Sequence, residues 1–240
     1  MPGQHFIQAG RGERPIKRWT SWYDGKLVTT EGENILEKLD NWGIVELRKL
    51  KLVWSSLEED IPQFKDWRPI DENGRGFRIF EYQNGDKLRL FFLSLLWRAA
   101  ASDLSELRQI HLPSRQLERL AKMIVQQQPE PNYLFPMCLM QLSTKGPRHN
   151  FTPIPCKKPL DLDKQKSIRI FRFYLDGLVI HFHRDLNRKN WLNIGTMAVG
   201  ANKELGVLTV PYEISAQLER NEFETRVAEE KFGNFIQKLI

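Results

Sequence analysis

The chain has 240 residues, of which 41% are hydrophobic, and its 36 Lys and Arg residues outnumber its 30 Asp and Glu residues to give a formal net charge of +6. A chain of this length and apolar content can bury a substantial core, which excludes a disordered tail. The excess of cations suits an anionic partner such as nucleic acid, although an ordinary basic soluble protein has the same composition.

The two cysteines, Cys138 and Cys156, exclude a disulfide framework and a Cys-x-x-Cys metal pair. The first residues, MPGQHFIQAGRGERP, lack the apolar core of a signal peptide, and the longest apolar run is too short to span a bilayer. We therefore expect a cytoplasmic protein that does not enter a membrane.

The first 125 residues predict a mainly helical region. Residues 1 to 30 are irregular and rich in Gly, Arg and Trp, with room for a short hairpin. Residues 32 to 51 predict a helix, because apolar residues recur there near helical spacing. The turn-rich RPIDENGRG precedes a predicted short strand, FRIFEYQ. Residues 86 to 101 are apolar almost all round, which predicts a helix at the centre of a helical core.

Pro113 and Ser114 open a third predicted helix, which has an apolar face and a basic face. The basic face carries Arg115, Arg119 and Lys122. These cations suit a surface that follows a phosphate backbone, but solvated basic faces are common on helices. The sequence does not decide between a phosphate-binding face and an ordinary solvated face.

The rest of the chain predicts a small antiparallel sheet and a long charged helix. Residues 129 to 159 are rich in proline and predict a connection. A hairpin follows, because SIRIFRFYL and LVIHFHR flank a turn signal, and a further strand is predicted near GVLTVPY. We therefore predict an α+β fold, with a helical core over 1–128, the connection over 129–159, and the sheet with the C-terminal helix over 160–240, packed as one unit.

The predicted hairpin has two different faces. A two-residue loop at Asp176-Gly177 fixes the register and directs alternate side chains to opposite sides. One side is wholly apolar, which predicts that it belongs to the core. Its residues are Phe171, Phe173, Ile180 and Phe182.

The other hairpin face carries His181 and His183, which point the same way and can share a metal ion, with Asp185 or His149 as a third ligand. Two features argue against a metal here. Asp185 alternates to the opposite face, and the cation of Arg172 would lie beside the ion. The competing interpretation is that these are partly exposed polar residues on the free side of a sheet.

Three stretches resemble a group of bacterial HNH-endonuclease-like proteins with a treble-clef zinc finger: QHFIQ, KRWTSWYDGKLVTTEGENILEKLDNWG and LRLFFLSLLWRAAASDL. Such relatives have a Ser-His-Ile-Ile-Pro element, a Tyr-Asp-x-x-Leu-Leu-Cys-x-x-Cys-Glu knuckle that enters a helix, and a Leu-Ser-Leu-Leu-Trp-Arg-like helical core. The resemblance covers roughly residues 4 to 50 and 86 to 125. The matched positions are His5, Tyr23, Asp24, Thr29, Gly32 and Glu33.

Thr29 and Gly32 stand where the family has its two knuckle cysteines, so structural zinc cannot be held in the family's manner. The resemblance therefore implies a decayed, zinc-free treble-clef-like start. It also implies that His5 and Glu33 are the catalytic residues if the protein is active, beside a Mg²⁺ or Mn²⁺ ion.

Two classes of function follow from the resemblance. The first is a non-catalytic nucleic-acid-binding or scaffold subunit without a cofactor, working with a protein partner in a prokaryotic or phage-related defence complex. The second is a nuclease that holds Mg²⁺ or Mn²⁺ through carboxylates and histidine without a structural zinc. The loss of the knuckle ligands favours the first class.

The N-terminal stretch supplies most of the predicted nucleic-acid contacts. Between residues 11 and 26, cations are interleaved with aromatic rings, which suits phosphates and stacking on unpaired bases. The alternative is that the tryptophans fill space inside the fold. The candidate contacts are Arg11, Arg14, Lys17, Arg18, Trp19, Trp22 and Lys26, together with Arg115, Arg119 and Lys122 on the third helix.

Overall fold

The computed structural model describes residues 6–10, 13–18, 24–58, 61–147, 149, 151–159, 167–184 and 197–236. The helices in these ranges are α1 (Thr30–Lys49), α2 (Gly85–Ala101), α3 (Ser114–Gln126) and α4 (Ala216–Ile236). The strands are β1 (Phe6–Gly10), β2 (Glu13–Arg18), β3 (Trp67–Pro69), β4 (Gly76–Glu81), β5 (Met137–Leu142), β6 (Ile154–Pro159), β7 (Ser167–Leu175), β8 (Leu178–His183) and β9 (Glu204–Val210). The predicted α+β class is confirmed.

A single mixed sheet carries seven of these strands, in the order β3-β4-β9-β5-β8-β7-β6. Neighbouring strands are antiparallel except for β5 and β9, which run parallel. The prediction of a small sheet is therefore wrong in size, and the predicted antiparallel direction holds for every neighbouring pair except β5 and β9. The sequence of β5, MCLMQL, has no clear polar alternation, because this strand lies in the middle of the sheet and is largely buried.

The sheet draws its strands from all three ranges into which the sequence divides. β3 and β4 come from residues 1–128, β5 and β6 from the proline-rich residues 129–159, and the other three from residues 160–240. The first range contains α1, α2 and α3, but it also contains four strands, of which β1 and β2 pair as a separate hairpin. The proline-rich range is thus part of the sheet as well as a connection.

The helices of the first range begin within two residues of their predicted starts, with α1 at Thr30 against 32, α2 at Gly85 against 86 and α3 at Ser114 as predicted. Thr29 caps α1, and its Oγ1 accepts a hydrogen bond from the Gly32 N–H at 3.3 Å. The two positions that the resemblance aligns with knuckle cysteines thus form a helix cap. Further along α1, a Cβ atom on Gly43 would lie 2.4 Å from the ring of Phe91 on α2, so glycine permits the close approach of the two helices.

The β7–β8 hairpin confirms its predicted register. Asp176 and Gly177 have φ angles of +46° and +85°, and positive φ at both turn residues is what a type I′ turn requires. The predicted apolar face is buried against α1, α2 and α3 in the larger core. Its paired residues are Phe171 with Phe182 and Phe173 with Ile180.

The opposite face of the hairpin differs from its prediction. His181 and His183 are only 5% and 6% exposed, so they are not partly exposed residues on a free side of the sheet. Tyr174 and Val179, which share this face, pack with Trp54 in a second apolar core. The alternation of polar and apolar residues does not predict this core, because the segments that form it are distant in the chain.

Arg89 on α2 holds the chain segment 129–135 against the helix. The side chain is fully buried, and all three of its nitrogens donate to backbone carbonyls. Burial lowers the pKa of Arg89 to about 10, so the guanidinium is still charged at neutral pH. Its acceptors are the carbonyl oxygens of Pro129, Pro131, Leu134 and Phe135.

Replacing Phe173 by Ala should lower the free energy of unfolding by about 3 to 5 kcal/mol, because a buried ring is removed from the core. The ring is 8% exposed and lies 5.0 Å from the ring of Phe182 in an edge-on contact. Val125→Ala, at a position that is 62% exposed, serves as the control and should change stability by no more than about 0.5 kcal/mol. Urea unfolding measures both; a loss below about 1 kcal/mol for Phe173→Ala would show that the face is not core.

Replacing Arg89 by Met should lower the free energy of unfolding by about 3 kcal/mol or more, because several buried carbonyls lose their donor. Met fills much of the same space without a hydrogen-bonding group. Arg115→Met on the exposed face of α3 is the matched control and should be nearly neutral. Equal stability of the two variants in urea would contradict the structural role of Arg89.

Candidate functional site

A cleft of about 550 Å³ opens where the C-terminal end of α1 meets the segment before β3 and the outer part of β4. Four cations and two carboxylates line it, so the cleft has an excess of positive charge. Two phenyl rings complete the wall. The lining residues are Lys49, Leu50, Lys51, Glu58, Gln63, Phe64, Lys65, Asp66, Arg78 and Phe80.

Arg78 is the structural centre of this cleft. Only 5% of the residue is exposed, and its Nε donates to Asp66 Oδ2 at 2.9 Å. Nη1 donates to Gln141 Oε1 at 3.1 Å on β5, and both Nη atoms also donate to the last carbonyls of the α1 end, those of Leu50 and Lys51. Burial lowers the pKa of Arg78, and the Asp66 carboxylate opposes that shift. Arg78 therefore joins α1, β4, β5 and the segment before β3.

The two phenyl rings of the cleft are fixed by the same guanidinium. The Arg78 Cζ atom lies 4.8 Å from the centre of the Phe64 ring and 5.2 Å from the centre of the Phe80 ring. Contacts of this length are typical of cation–π interactions. Each phenylalanine is still partly exposed, so the rings offer apolar surface to a ligand in the cleft.

The lysines at the rim keep much of their side chains in solvent. Lys49 lies 3.6 Å from Glu46 and its side chain is 68% exposed, while Lys51 pairs with Glu58 at 3.1 Å. The Lys51–Glu58 pair is largely exposed and therefore weak. The Glu46 carboxylate beside Lys49 is only 7% exposed, so that pair is partly shielded from solvent. Lys65 is exposed, and Arg68 donates to its backbone carbonyl, which brings a further guanidinium next to the cleft.

This arrangement can bind an anion that also carries a flat apolar group. Ammonium groups at the rim can contact phosphate or carboxylate oxygens, and the phenyl rings can stack on a planar partner. A volume of about 550 Å³ lies within the range of small-ligand pockets. The sequence does not reveal this site, because its residues come from separate segments and follow no regular spacing.

The predicted N-terminal site is described only in part. His5, Arg11, Trp19 and Trp22 lie outside the described residues. Arg14, Lys17 and Arg18 belong to β2, and the β1–β2 hairpin lies next to α4. Glu33 and Lys26 are exposed near the start of α1.

Helix α4, which lies next to the β1–β2 hairpin, is acidic. Within its bounds α4 carries five glutamates against three cations.

The predicted basic face of α3 is exposed at Arg115, Arg119 and Lys122. The C-terminal part of α3 and the start of α1 border the same small apolar recess, so α3 lies near the N-terminal end of α1. The cleft lies at the other end of that helix, which has 20 residues and is therefore about 30 Å long. The α3 face and the cleft are consequently two separate cationic surfaces.

The two candidate metal ligands, His181 and His183, lie on a buried face. The Nε2 atom of His181 accepts a hydrogen bond from Arg172 Nε at 3.2 Å, so its lone pair is already used and a cation lies beside it. Within the described ranges, no group of three or more His, Cys, Asp and Glu side chains could hold a metal ion. Asp185, proposed as a third ligand, lies outside those ranges.

An aromatic cluster around His149 is a second feature that the sequence does not predict. The imidazole stacks on Tyr174 with ring centres 4.5 Å apart and also contacts the rings of Trp54 and Phe151. Its Nδ1 lies 2.6 Å from the Pro147 carbonyl and can donate to it. Burial lowers the pKa of His149, although the Pro147 carbonyl acts in the opposite direction. The His149 ring therefore packs against Trp54 and Tyr174 of the second core.

No protein-family model, curated protein or solved structure matches this chain. In the part of the chain that the structure describes, none of the helices combines the length and apolar character needed to cross a bilayer.

His149 should make stability depend on pH. Because its pKa is lowered in the folded protein, the unfolded chain takes up a proton first as the pH falls below about 6.5. The stabilisation is therefore present above pH 6.5 and is lost as the pH falls through the folded-state pKa. Urea unfolding between pH 7.5 and 5 should show a smaller pH dependence for His149→Phe than for the wild type. NMR titration of the ring should give a pKa below about 6.5; a higher value would contradict this account.

Proposed function

We propose that the protein is a non-catalytic nucleic-acid-binding subunit and that the cleft at the end of α1 is its main contact with the strand. The observation that carries this proposal is the combination of Lys49, Lys51 and Lys65 with two phenyl rings in one cleft. A single-stranded nucleic acid offers phosphates that the lysines can bind and bases on which the rings can stack. An acidic protein surface would use the lysines but would offer fewer planar groups to the rings.

The charge of the whole chain supports the same proposal, since a net charge of +6 favours the approach of a polyanion. The setting of the subunit, a prokaryotic or phage-related defence complex with a protein partner, is proposed from the resemblance to HNH-like proteins alone. In this proposal the protein contributes binding, and any strand cleavage in the complex belongs to its partner.

Changing Lys49, Lys51 and Lys65 together to Gln should weaken nucleic-acid binding and reduce its salt dependence. Each lost phosphate contact lowers the slope of log affinity against log salt concentration by about 0.7 to 0.9, so a change of about 2 is expected. Fluorescence anisotropy between about 50 and 200 mM salt measures the slope. Thermal melting checks that the variant is folded, because Lys49→Gln removes the cation beside the largely buried Glu46 carboxylate.

The matched control is the triple change of Arg115, Arg119 and Lys122 to Gln, which removes the same charge from α3 and should leave the slope near the wild-type value. A reduced salt slope in the α3 variant alone would show that the main nucleic-acid contact lies on α3. If wild-type protein binds neither DNA nor RNA in a salt-dependent manner, the proposed function is wrong. Cleavage of the oligonucleotide with Mg²⁺ or Mn²⁺ would refute the non-catalytic part and favour the nuclease alternative.

A further inference from the structure

We infer that the cleft takes a single unpaired nucleotide, so that the partner is single-stranded nucleic acid or an unpaired stretch within a longer molecule. This inference rests on the proposed function and extends it. The net charge and the exposed lysines do not distinguish single-stranded from double-stranded nucleic acid, because both carry similar phosphates. The inference specifies which of the two forms binds.

The position of the rings favours an unpaired base. Phe64 and Phe80 are each partly buried and line the wall of a cleft of about 550 Å³. A duplex keeps its bases stacked and shows only their edges in the grooves. Only a base that has left the stack can enter the cleft and place its face against a ring.

The hydrogen bonds of Arg78 exclude it as the main phosphate ligand and assign it a positioning role. All three of its nitrogens donate to protein acceptors, which include Asp66 and Gln141. Its guanidinium also contacts both rings, at 4.8 and 5.2 Å. The rings are therefore held in place before a ligand arrives, which reduces the ordering that binding requires.

The lysines are better placed than Arg78 to contact phosphates, because their side chains are more exposed than the Arg78 guanidinium. Lys49 ends α1, Lys51 lies two residues beyond it, and Lys65 comes from the segment before β3, so the cations are supplied by two separate parts of the rim. A base in the cleft would have its own phosphate and the next one close to this rim. Base and backbone contacts are thus available to one and the same nucleotide.

The test compares two phenylalanines that differ in position. Phe64→Leu removes a ring from the cleft and keeps an apolar side chain, whereas Phe223→Leu removes a ring that is 55% exposed on α4 and serves as the control. The probe is a fluorescein-labelled oligonucleotide of about 12 nucleotides, used as a single strand and as a duplex of the same sequence. We expect wild-type protein to prefer the single strand.

Phe64→Leu should lower single-strand affinity about tenfold, in line with the loss of one base stack, while duplex affinity and the salt slope stay unchanged. Phe223→Leu should match the wild type in every measurement. Thermal melting of both variants checks that they are folded. A loss of affinity without a change in salt slope separates stacking from a general disturbance of the cationic rim.

A second measurement needs no variant. A single strand that carries one 5-iodouracil should cross-link on irradiation to the peptide that contains Phe64 or the one that contains Phe80, as identified by mass spectrometry. Cross-linking only elsewhere would overturn the inference, even if Phe64→Leu failed to fold.

The remaining outcomes separate the two proposals. Equal affinity for duplex and single strand, with no effect of Phe64→Leu, would refute the cleft as a base site and leave nucleic-acid binding intact. Failure of both nucleic acids to bind would refute the proposed function together with this inference. Poly-glutamate that competes as well as the single strand would identify the cleft as a site for an acidic protein segment and overturn the inference.

Discussion

Each nitrogen of a buried guanidinium has to find an acceptor, and this requirement organises the described structure at two points. Arg89 donates hydrogen bonds to backbone carbonyls within residues 129–135. Arg78 donates to a carbonyl just after α1, to a carboxylate before β3 and to a side-chain amide on β5. Without these acceptors the loss of hydration would be strongly unfavourable, so the acceptor segments are ordered together with the cation. The shape of the cleft is a result of this requirement, since its rings and rim belong to the segments that Arg78 joins.

The elements that could be predicted from the sequence are those whose signals are local. The Asp176-Gly177 turn fixes its own hairpin, and the apolar spacing of α1, α2 and α3 reveals each helix. Sheet order is not local: β4 pairs with β9, and β5 pairs with β8 and β9. No turn residue encodes those pairings, so the sequence indicated a small antiparallel sheet where the structure has seven mixed strands.

The candidate site was even less accessible to sequence analysis. A stripe of cations such as Arg115, Arg119 and Lys122 is visible because one helix carries all three, and the structure confirms that they are exposed. The cleft instead combines Lys49, Phe64 and Arg78, whose proximity depends on the tertiary fold. The histidines of β8 show the same limit, since their alternation predicts exposure whereas both are buried in the structure.

The pairing of β4 with β9 determines when the cleft can form during synthesis of the chain. β4 carries Arg78 and Phe80, and its longer partner is β9, which leaves the ribosome well after β4. Until β9 is available, the backbone groups on that side of β4 have no strand to bond, and the cleft lacks a fixed wall. Chains that end before β9 therefore present Lys49 and Lys51 without the finished recess, and the proposed binding of a ligand requires a chain that extends through β9.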